Sequence, residues 1–328
     1  MRRIAFVLSD GQAAIKSESS GPVRSLLERL EIHGFHAVKL HQDYNYLVTI
    51  NYQRKLMSSS RSKVDSRIMI VMEPQVTSPK SHLRRNRAQF RRVFVMSPLW
   101  KYDNEIIFPW PQKMQSEFKR ETVTQKNKAC QIASDKYSPL KGENYTLRRE
   151  ILHRLHNYCD TYGWNWDDSE LRRLTRMLKS IYNSGWNVSP SRILDFGKFR
   201  DARFFAKGEA QDKIAKMRQY SAAIVIENSC DYISEKLIDA IFAGTCPVYV
   251  GPDLELFGLP RTVAVECEPN SVSVESALRE VLSNPELRKR IVEEGRQFVL
   301  SEKYIPMQNE VVFENLADAI AEEFGVKK

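Results

Sequence analysis

The stretch 221–251, SAAIVIENSCDYISEKLIDAIFAGTCPVYVG, constrains this chain more than any other. It opens with Ile224, Val225 and Ile226 inside an unbroken apolar run, the pattern of a central strand rather than one with a face in water. The segment 235–244 then sets Leu237, Ile238, Ile241 and Phe242 on one helical face and stops at Gly244, a helix terminator. A second apolar run, CPVYVG (246–251), follows directly. A strand, a helix and a strand joined this closely bury their apolar surfaces as a crossover unit, in a parallel sheet with helices over its faces.

The same alternation runs through the whole chain. RIAFVL (3–8), HAVKL (36–40), RIMIVME (67–73) and RRVFVMS (91–97) predict strands, and Val23, Leu26, Leu27 and Leu30 predict a helix over 22–35 with Gly34 as its stop. The segment between 40 and 67, with its run SSSRSK (58–63), reads as a polar connection. Pro98, Pro109, Pro111 and the Asp103-Asn104 pair mark 98–125 as a connector. Beyond it come a strand over 129–134, a helix over 146–159 with Thr146 as its candidate cap, and a basic helix over 169–185. The strands over 221–229 and 246–251 and three amphipathic helices complete the chain, the last of them near 315–325. The expected fold is α/β with two Rossmann-like domains facing a cleft. The first domain is placed at 1–125, the second at 126–300 with a helical insertion near 160–192, and a C-terminal helical tail at 301–328.

Composition narrows the functional classes. No run of 18 or more apolar residues offers a membrane-spanning helix, and the five apolar residues after Arg2 and Arg3 are too few for a secretory signal. Five widely spaced cysteines without a C-x-x-C pair fit neither a disulfide framework nor a structural zinc site, and point to a reducing, cytoplasmic setting. The six histidines form no metal-binding motif. The formal net charge is +9, with its densest run at RRNRAQFRR (84–92), yet no zinc-finger, RNP or helix-turn-helix signature accompanies it, so a nucleic-acid partner is not expected. The basic first domain suits peripheral contact with an anionic membrane at its inner face.

Lys236 stands at the start of the predicted helix 235–244. A cation in a first helical turn is unfavourable by roughly 0.3–1 kcal/mol at an exposed site unless something negative lies beside it. In an open α/β sheet, ligands gather at the carboxyl ends of strands against the following helix N-termini, where Asn228, Ser229, Tyr232, Glu235 and Lys236 would line the place. A lysine there offers a point charge to phosphate and a neighbouring carboxylate accepts from sugar hydroxyls, a pairing suited to a nucleotide sugar.

These residues carry a resemblance. The segment 220–251 is similar to the donor-binding motif of the α-1,3-fucosyltransferases, with Tyr220, then Glu227-Asn228-Ser229, then Tyr232-x-x-Glu235-Lys236, and finally Pro247-Val248-x-x-Gly251. KNKACQIAS (126–134) with LRREILHRL (147–155), LDFGKF (194–199) and KYDNEIIFPW (101–110) resemble further family segments in the right order, LDFGKF as a short strand with phenylalanine before its glycine. The likeness covers most of 67–260 and is thin over the first 66 residues. It implies a two-domain, inverting, metal-independent glycosyltransferase of the GT-B type, without a cofactor, using GDP-fucose and a glycan or glycolipid acceptor. By resemblance, Arg148 and Lys236 hold the diphosphate with GDP outweighing the helix dipole, Glu235 takes ribose or fucose hydroxyls, and Asn228 and Tyr232 shape the donor pocket. Glu73 matches the family's base, although Glu-Pro-Gln stands here where the family has Glu-Ser-Pro. The chain also departs in some 35 extra residues carrying Trp164, Trp166 and Trp186, read as a packed helical insertion. Three alternatives stay open: another nucleotide sugar, a non-catalytic module that binds sugar nucleotides, and a basic nucleic-acid binder.

Overall fold

A computed structural model describes residues 2–59, 63–119, 123–185 and 188–326. The chain divides into two compact units, Met1–Met114 with Ile305–Lys328, and Gln115–Tyr304.

The first unit contains β1 (Arg2–Val7), β2 (Ala13–Ala14), α1 (Gly21–Ile32), β3 (Phe35–Ala37), β4 (Tyr46–Ile50), α2 (Arg54–Ser59), β5 (Arg67–Val71), α3 (Arg84–Arg87), β6 (Arg92–Val95) and β7 (Ile106–Ile107). Its sheet runs β1-β4-β5-β6-β7, all parallel, with β3 parallel and β2 antiparallel to β1. Pro22 stands in the first turn of α1, where its missing N–H costs nothing, and Leu26, Leu27 and Leu30 turn inward. The segment read as a polar connection holds the central strand β4, whose Leu47 and Val48 are wholly buried, and the short helix α2.

The second unit contains β8 (Lys126–Ile132), α4 (Tyr145–Leu155), β9 (Cys159–Tyr162), α5 (Glu170–Asn183), α6 (Pro190–Asp195), α7 (Lys213–Met217), β10 (Tyr220–Ile226), α8 (Lys236–Ala243), β11 (Cys246–Val250), β12 (Val265–Glu266), α9 (Ser271–Ser283) and α10 (Pro285–Val299). The sheet is parallel throughout, ordered β12-β11-β10-β8-β9. All seven residues of β10 are buried, as its unbroken apolar run requires. Ala222, Ile224 and Ile226 pack with Val248 and Val250 against Leu147 and Ile151 of α4 and Val274 and Leu278 of α9. Gly244 ends α8 at φ 69°, a left-handed conformation that glycine adopts without steric cost.

Four expectations change here. LDFGKF is not a strand: Leu194 and Asp195 end α6, and Phe199 takes a left-handed φ of 56° in the turn beyond. The helix over 146–159 stops at Leu155, and β9 then forms the sheet edge. The region near 160–192 therefore begins as a sheet strand before becoming helical. Within it Trp166 is buried and donates Nε1–H to the Ala133 carbonyl at 2.7 Å, whereas Trp164 is 61% exposed and Trp186 lies outside the described residues. The last helix, α11 (Asn309–Glu323), belongs to the first unit instead of forming a tail. It lies against α1, where Arg29 donates to both carboxylate oxygens of Asp318 at 2.6 and 2.9 Å, and the Phe324 ring sits 4.4 Å from that of Tyr46.

Candidate functional site

In the second unit, the chain leaves β8 toward β9 on one side and returns to β10 on the other, which makes the β8/β10 boundary a topological switch point. The loops that follow these two strands meet there. Glu143 and Ser229 form an antiparallel bridge, and the Asn144 N–H donates to the Asn228 carbonyl at 3.0 Å. Arg148, near the start of α4, crosses the boundary. Its Nη2 donates to the Ile226 carbonyl and to Asn228 Oδ1 at 3.0 Å, and its guanidinium lies 5.1 Å from the Tyr145 ring centroid. The side chain is 2% exposed, and its Nε has no hydrogen-bond partner among the described residues. Burial pulls its pKa below the ordinary arginine value, with Tyr145, Glu227 and Glu143 acting in the opposite sense.

Each helix that starts at this boundary meets a carboxylate. Glu143 accepts from the backbone N–H groups of Tyr145 and Thr146 at 2.5 and 3.0 Å and from the Thr146 hydroxyl at 2.6 Å. Glu143 rather than Thr146 thus satisfies the free donors of the first turn of α4. Glu227, wholly buried immediately after β10, accepts from the Ser234 N–H at 2.9 Å, the Ser234 hydroxyl at 2.7 Å and Lys236 Nζ at 3.1 Å. Lys236 also donates to Ser234 Oγ at 2.6 Å. The cation that opposes the α8 dipole therefore has its counter-charge inside the protein, where a ligand diphosphate was expected to supply it.

The remaining predicted donor residues surround this pair. Glu235 occupies the N-cap position of α8 with its side chain 39% exposed, 3.4 Å from Lys213 Nζ. Burial raises its pKa, but Lys236 and Lys213 outweigh burial and hold the carboxyl below its usual range. Asn228, Ser229 and Tyr232 are buried, and the Ser229 hydroxyl donates to Asp231 Oδ1 at 2.5 Å. The structure thus brings Arg148 onto Asn228 and sets Glu235 beside Lys236, with Ser229 in the bridge between the loops. Sequence reasoning missed Glu143 and Ser234 as parts of the arrangement and named Glu227 only as a motif residue, without its part as counter-charge to Lys236. A glutamate directly after an all-apolar strand was the available signal, because a buried carboxylate needs donors close at hand.

An arginine network braces the loop after β8. Asp135, 4% exposed, pairs with Arg149 at 3.3 Å, Arg173 at 3.1 Å and Arg176 at 3.7 Å. Arg149 belongs to α4 and the other two to α5, so one carboxylate ties the extra helix to the loop that carries the site.

In the first unit, Glu73 follows β5 at the carboxyl end of that sheet and is half-buried. Its N–H donates to Asn51 Oδ1 at 3.3 Å, as does that of Met72 at 3.0 Å, and Asn51 holds a left-handed φ of 59°. The Glu73 carbonyl lies 2.8 Å from His82 Nε2. A carbonyl can only accept, so His82 carries its proton on Nε2, and its Nδ1 is left to accept from Arg87 at 3.5 Å. Arg87 is buried and paired with Glu105 at 2.6 Å. The backbone of Glu73 is thus held on both sides.

Among the described residues, no group of three or more His, Cys, Asp and Glu side chains is placed to hold a metal ion, and no helix is long and apolar enough to cross a membrane. No protein-family model matches the chain, and no curated protein matches it in sequence. Solved structures do match in fold. Anabaena HepE in complex with UDP and glucose aligns at 9% identity and a TM-score of 0.59, covering 98% of this chain and 100% of that one. The DNA-modifying β-glucosyltransferase, solved with and without uridine diphosphoglucose, aligns at 11% identity and a TM-score of 0.52 over 98% of this chain and 99% of its own. An α1,3-fucosyltransferase with GDP aligns at 11% identity and a TM-score of 0.50 over 99% and 92%. Identities this low speak of fold alone, and the chain has the α/β fold of the GT-B glycosyltransferases, with two predominantly parallel sheets in two Rossmann-like units.

Proposed function

We propose that the protein is a glycosyltransferase that takes its sugar from a nucleotide donor, and specifically an inverting, metal-independent fucosyltransferase that moves fucose from GDP-fucose to a hydroxyl of a glycan or glycolipid. One observation carries the reading: Arg148, Asn228, Glu235 and Lys236 converge at the β8/β10 switch point, the position where open α/β sheets bind nucleotides. In this reading the diphosphate lies against the N-terminus of α8. Lys236 turns part of its charge from Glu227 to the phosphates, and Arg148 adds a second cation. As the bond from fucose C1 to the phosphate oxygen breaks, these two neutralise the charge that builds on the leaving GDP. Glu73 takes the proton of the acceptor hydroxyl, whose oxygen forms the new bond to C1 from the opposite face.

A second reading keeps the fold and the site but changes the donor to a UDP-sugar. It is favoured by the two neighbours with the higher TM-scores, which were solved with UDP and glucose or with uridine diphosphoglucose. Thermal shifts with GDP, GDP-fucose, UDP and ADP, on the parent protein and on Lys236→Ala, separate the two. Stabilisation by GDP and GDP-fucose that is lost in the variant supports the fucosyltransferase. Stabilisation by UDP alone replaces the donor, and no response to any nucleotide removes the donor site.

A further inference from the structure

The helix α5 buries only part of its apolar surface. Arg173, Met177 and Ile181 face inward, whereas Leu171 is 74% exposed, Leu174 42%, Leu178 53% and Tyr182 58%. Spacings of three, four and four residues place these four side chains on one stripe along the helix. The exposed apolar surface is on the order of 400 Å², within the range of the largest patch a monomer shows, and such patches mark interaction sites. Further apolar side chains stand exposed in the segments that follow: Leu194 of α6 is 74% exposed and Phe204 72%.

Two exposed basic residues border the stripe, Arg172 and Lys179; Arg173 is buried against Asp135, and Arg176 pairs with Asp135 and with Asp168, which also lies 3.8 Å from Arg172. Arg172 and Lys179 each follow a stripe leucine, about 100° further around the axis, and both are exposed. A stripe of leucine and tyrosine bordered by basic side chains is the amphipathic pattern of a helix that lies in the plane of a bilayer interface, with the cations reaching the lipid phosphates.

We infer that the exposed stripe of α5, with Arg172 and Lys179 along its border, docks this unit onto an anionic lipid surface. A second copy of the chain fits less well. The stripe offers about half of the ~800 Å² per partner that a standard protein interface buries. Two-fold pairing through α5 would also bring the basic borders of two copies together, and like charges in contact oppose association. The inference does not depend on which sugar nucleotide the protein uses, because vesicle binding needs none.

Sedimentation of the full chain with vesicles tests it, using phosphatidylglycerol mixed with phosphatidylcholine and phosphatidylcholine alone, at low and at raised salt. Binding is expected to the anionic vesicles and to weaken with salt. Arg172→Gln with Lys179→Gln is expected to weaken it about 30-fold, at about 1 kcal/mol for each basic residue near the surface. Leu174→Gln with Leu178→Gln is expected to abolish it while the melting temperature and far-ultraviolet dichroism stay at parent values, since both side chains already face solvent. Absence of binding at low salt overturns the inference, as does binding that survives the leucine substitutions. If sedimentation equilibrium instead shows a dimer that the leucine substitutions dissolve, the stripe is a contact between copies and the lipid assignment falls.

Discussion

Replacing Glu227 by glutamine tests the balance of charge at the start of α8. The carboxylate is wholly buried and accepts from Ser234 N–H, Ser234 Oγ and Lys236 Nζ at 2.7–3.1 Å. Glutamine has nearly the same shape and can still accept from the Ser234 N–H. Its amide NH₂ then stands where Oε2 received the ammonium, donor against donor, and Lys236 loses its counter-charge in the first helical turn. Breaking one side of a fully buried ion pair costs about 3–5 kcal/mol. Lys236 keeps 19% of its side chain in water, which relieves part of that cost. The expected loss is about 2–3 kcal/mol, from the loss of a charge-assisted hydrogen bond and the uncompensated cation. For a unit of this size that is a fall in melting temperature of about 4–12 °C. Adding Lys236→Met should recover much of it, because removing both charges leaves neither stranded. Differential scanning calorimetry on the parent, both single variants and the double variant closes the cycle. An unchanged melting temperature in Glu227→Gln, or strict additivity in the double variant, refutes the argument. If the proposed donor site is right, the same substitution releases Lys236 for phosphate, so nucleotide affinity should rise while stability falls.

Three further outcomes follow from particular residues. Gly163 has φ 149°, and a Cβ there would lie 2.0 Å from the Ala133 carbonyl oxygen, so Gly163→Ala should destabilise the second unit by more than about 2 kcal/mol in urea unfolding; Gly185→Ala, left-handed at φ 69° but with open space around it, should cost only about 1–2 kcal/mol. Burial pushes the Cys130 and Cys246 thiols up to about 12 and that of Cys159 well above its ordinary value. A folded pKa above the unfolded one means that this contribution is complete below the unfolded thiol value, about 8.5, and is lost as pH rises from there toward the folded value. Urea midpoints should therefore fall at alkaline pH. With a thiol reagent at neutral pH, the exposed Cys230 should react first, and the three buried thiols only on unfolding.

Strands with continuous apolar runs could be read from the chain, because burial on both faces writes itself into consecutive residues. β1, β5, β10 and β11 are of this kind, and Gly244 marked the end of α8 through its own backbone freedom. β9 reads CDTY and has no such run. It is held by partners distant in sequence: Asp160 takes Lys128 at 2.7 Å and the Tyr220 hydroxyl at 2.9 Å, and neither bond has a local periodicity. β4, no shorter than β5 or β11, was lost for another reason: its apolar run is flanked on both sides by polar residues. At the site, Asn228, Glu235 and Lys236 were legible by type and spacing, and Arg148 through the family resemblance. The charge bookkeeping was not, since the carboxylates that neutralise the two helix starts, Glu143 and Glu227, act through hydrogen bonds that only the closed loops create.

The placement of α11 in the first unit bears on how the protein is made. Asp318, which pairs with Arg29 of α1, and Phe324, which lies against Phe35 and Tyr46, leave the ribosome only after the whole of 115–304 has been synthesised. During translation the first unit must wait with the Phe35 and Tyr46 rings uncovered on that side, while the second has all its strands and helices available. Vectorial synthesis thus favours a maturation order opposite to the order of the sequence, with the later-made unit able to complete its core first and the earlier one closing only when its final helix arrives.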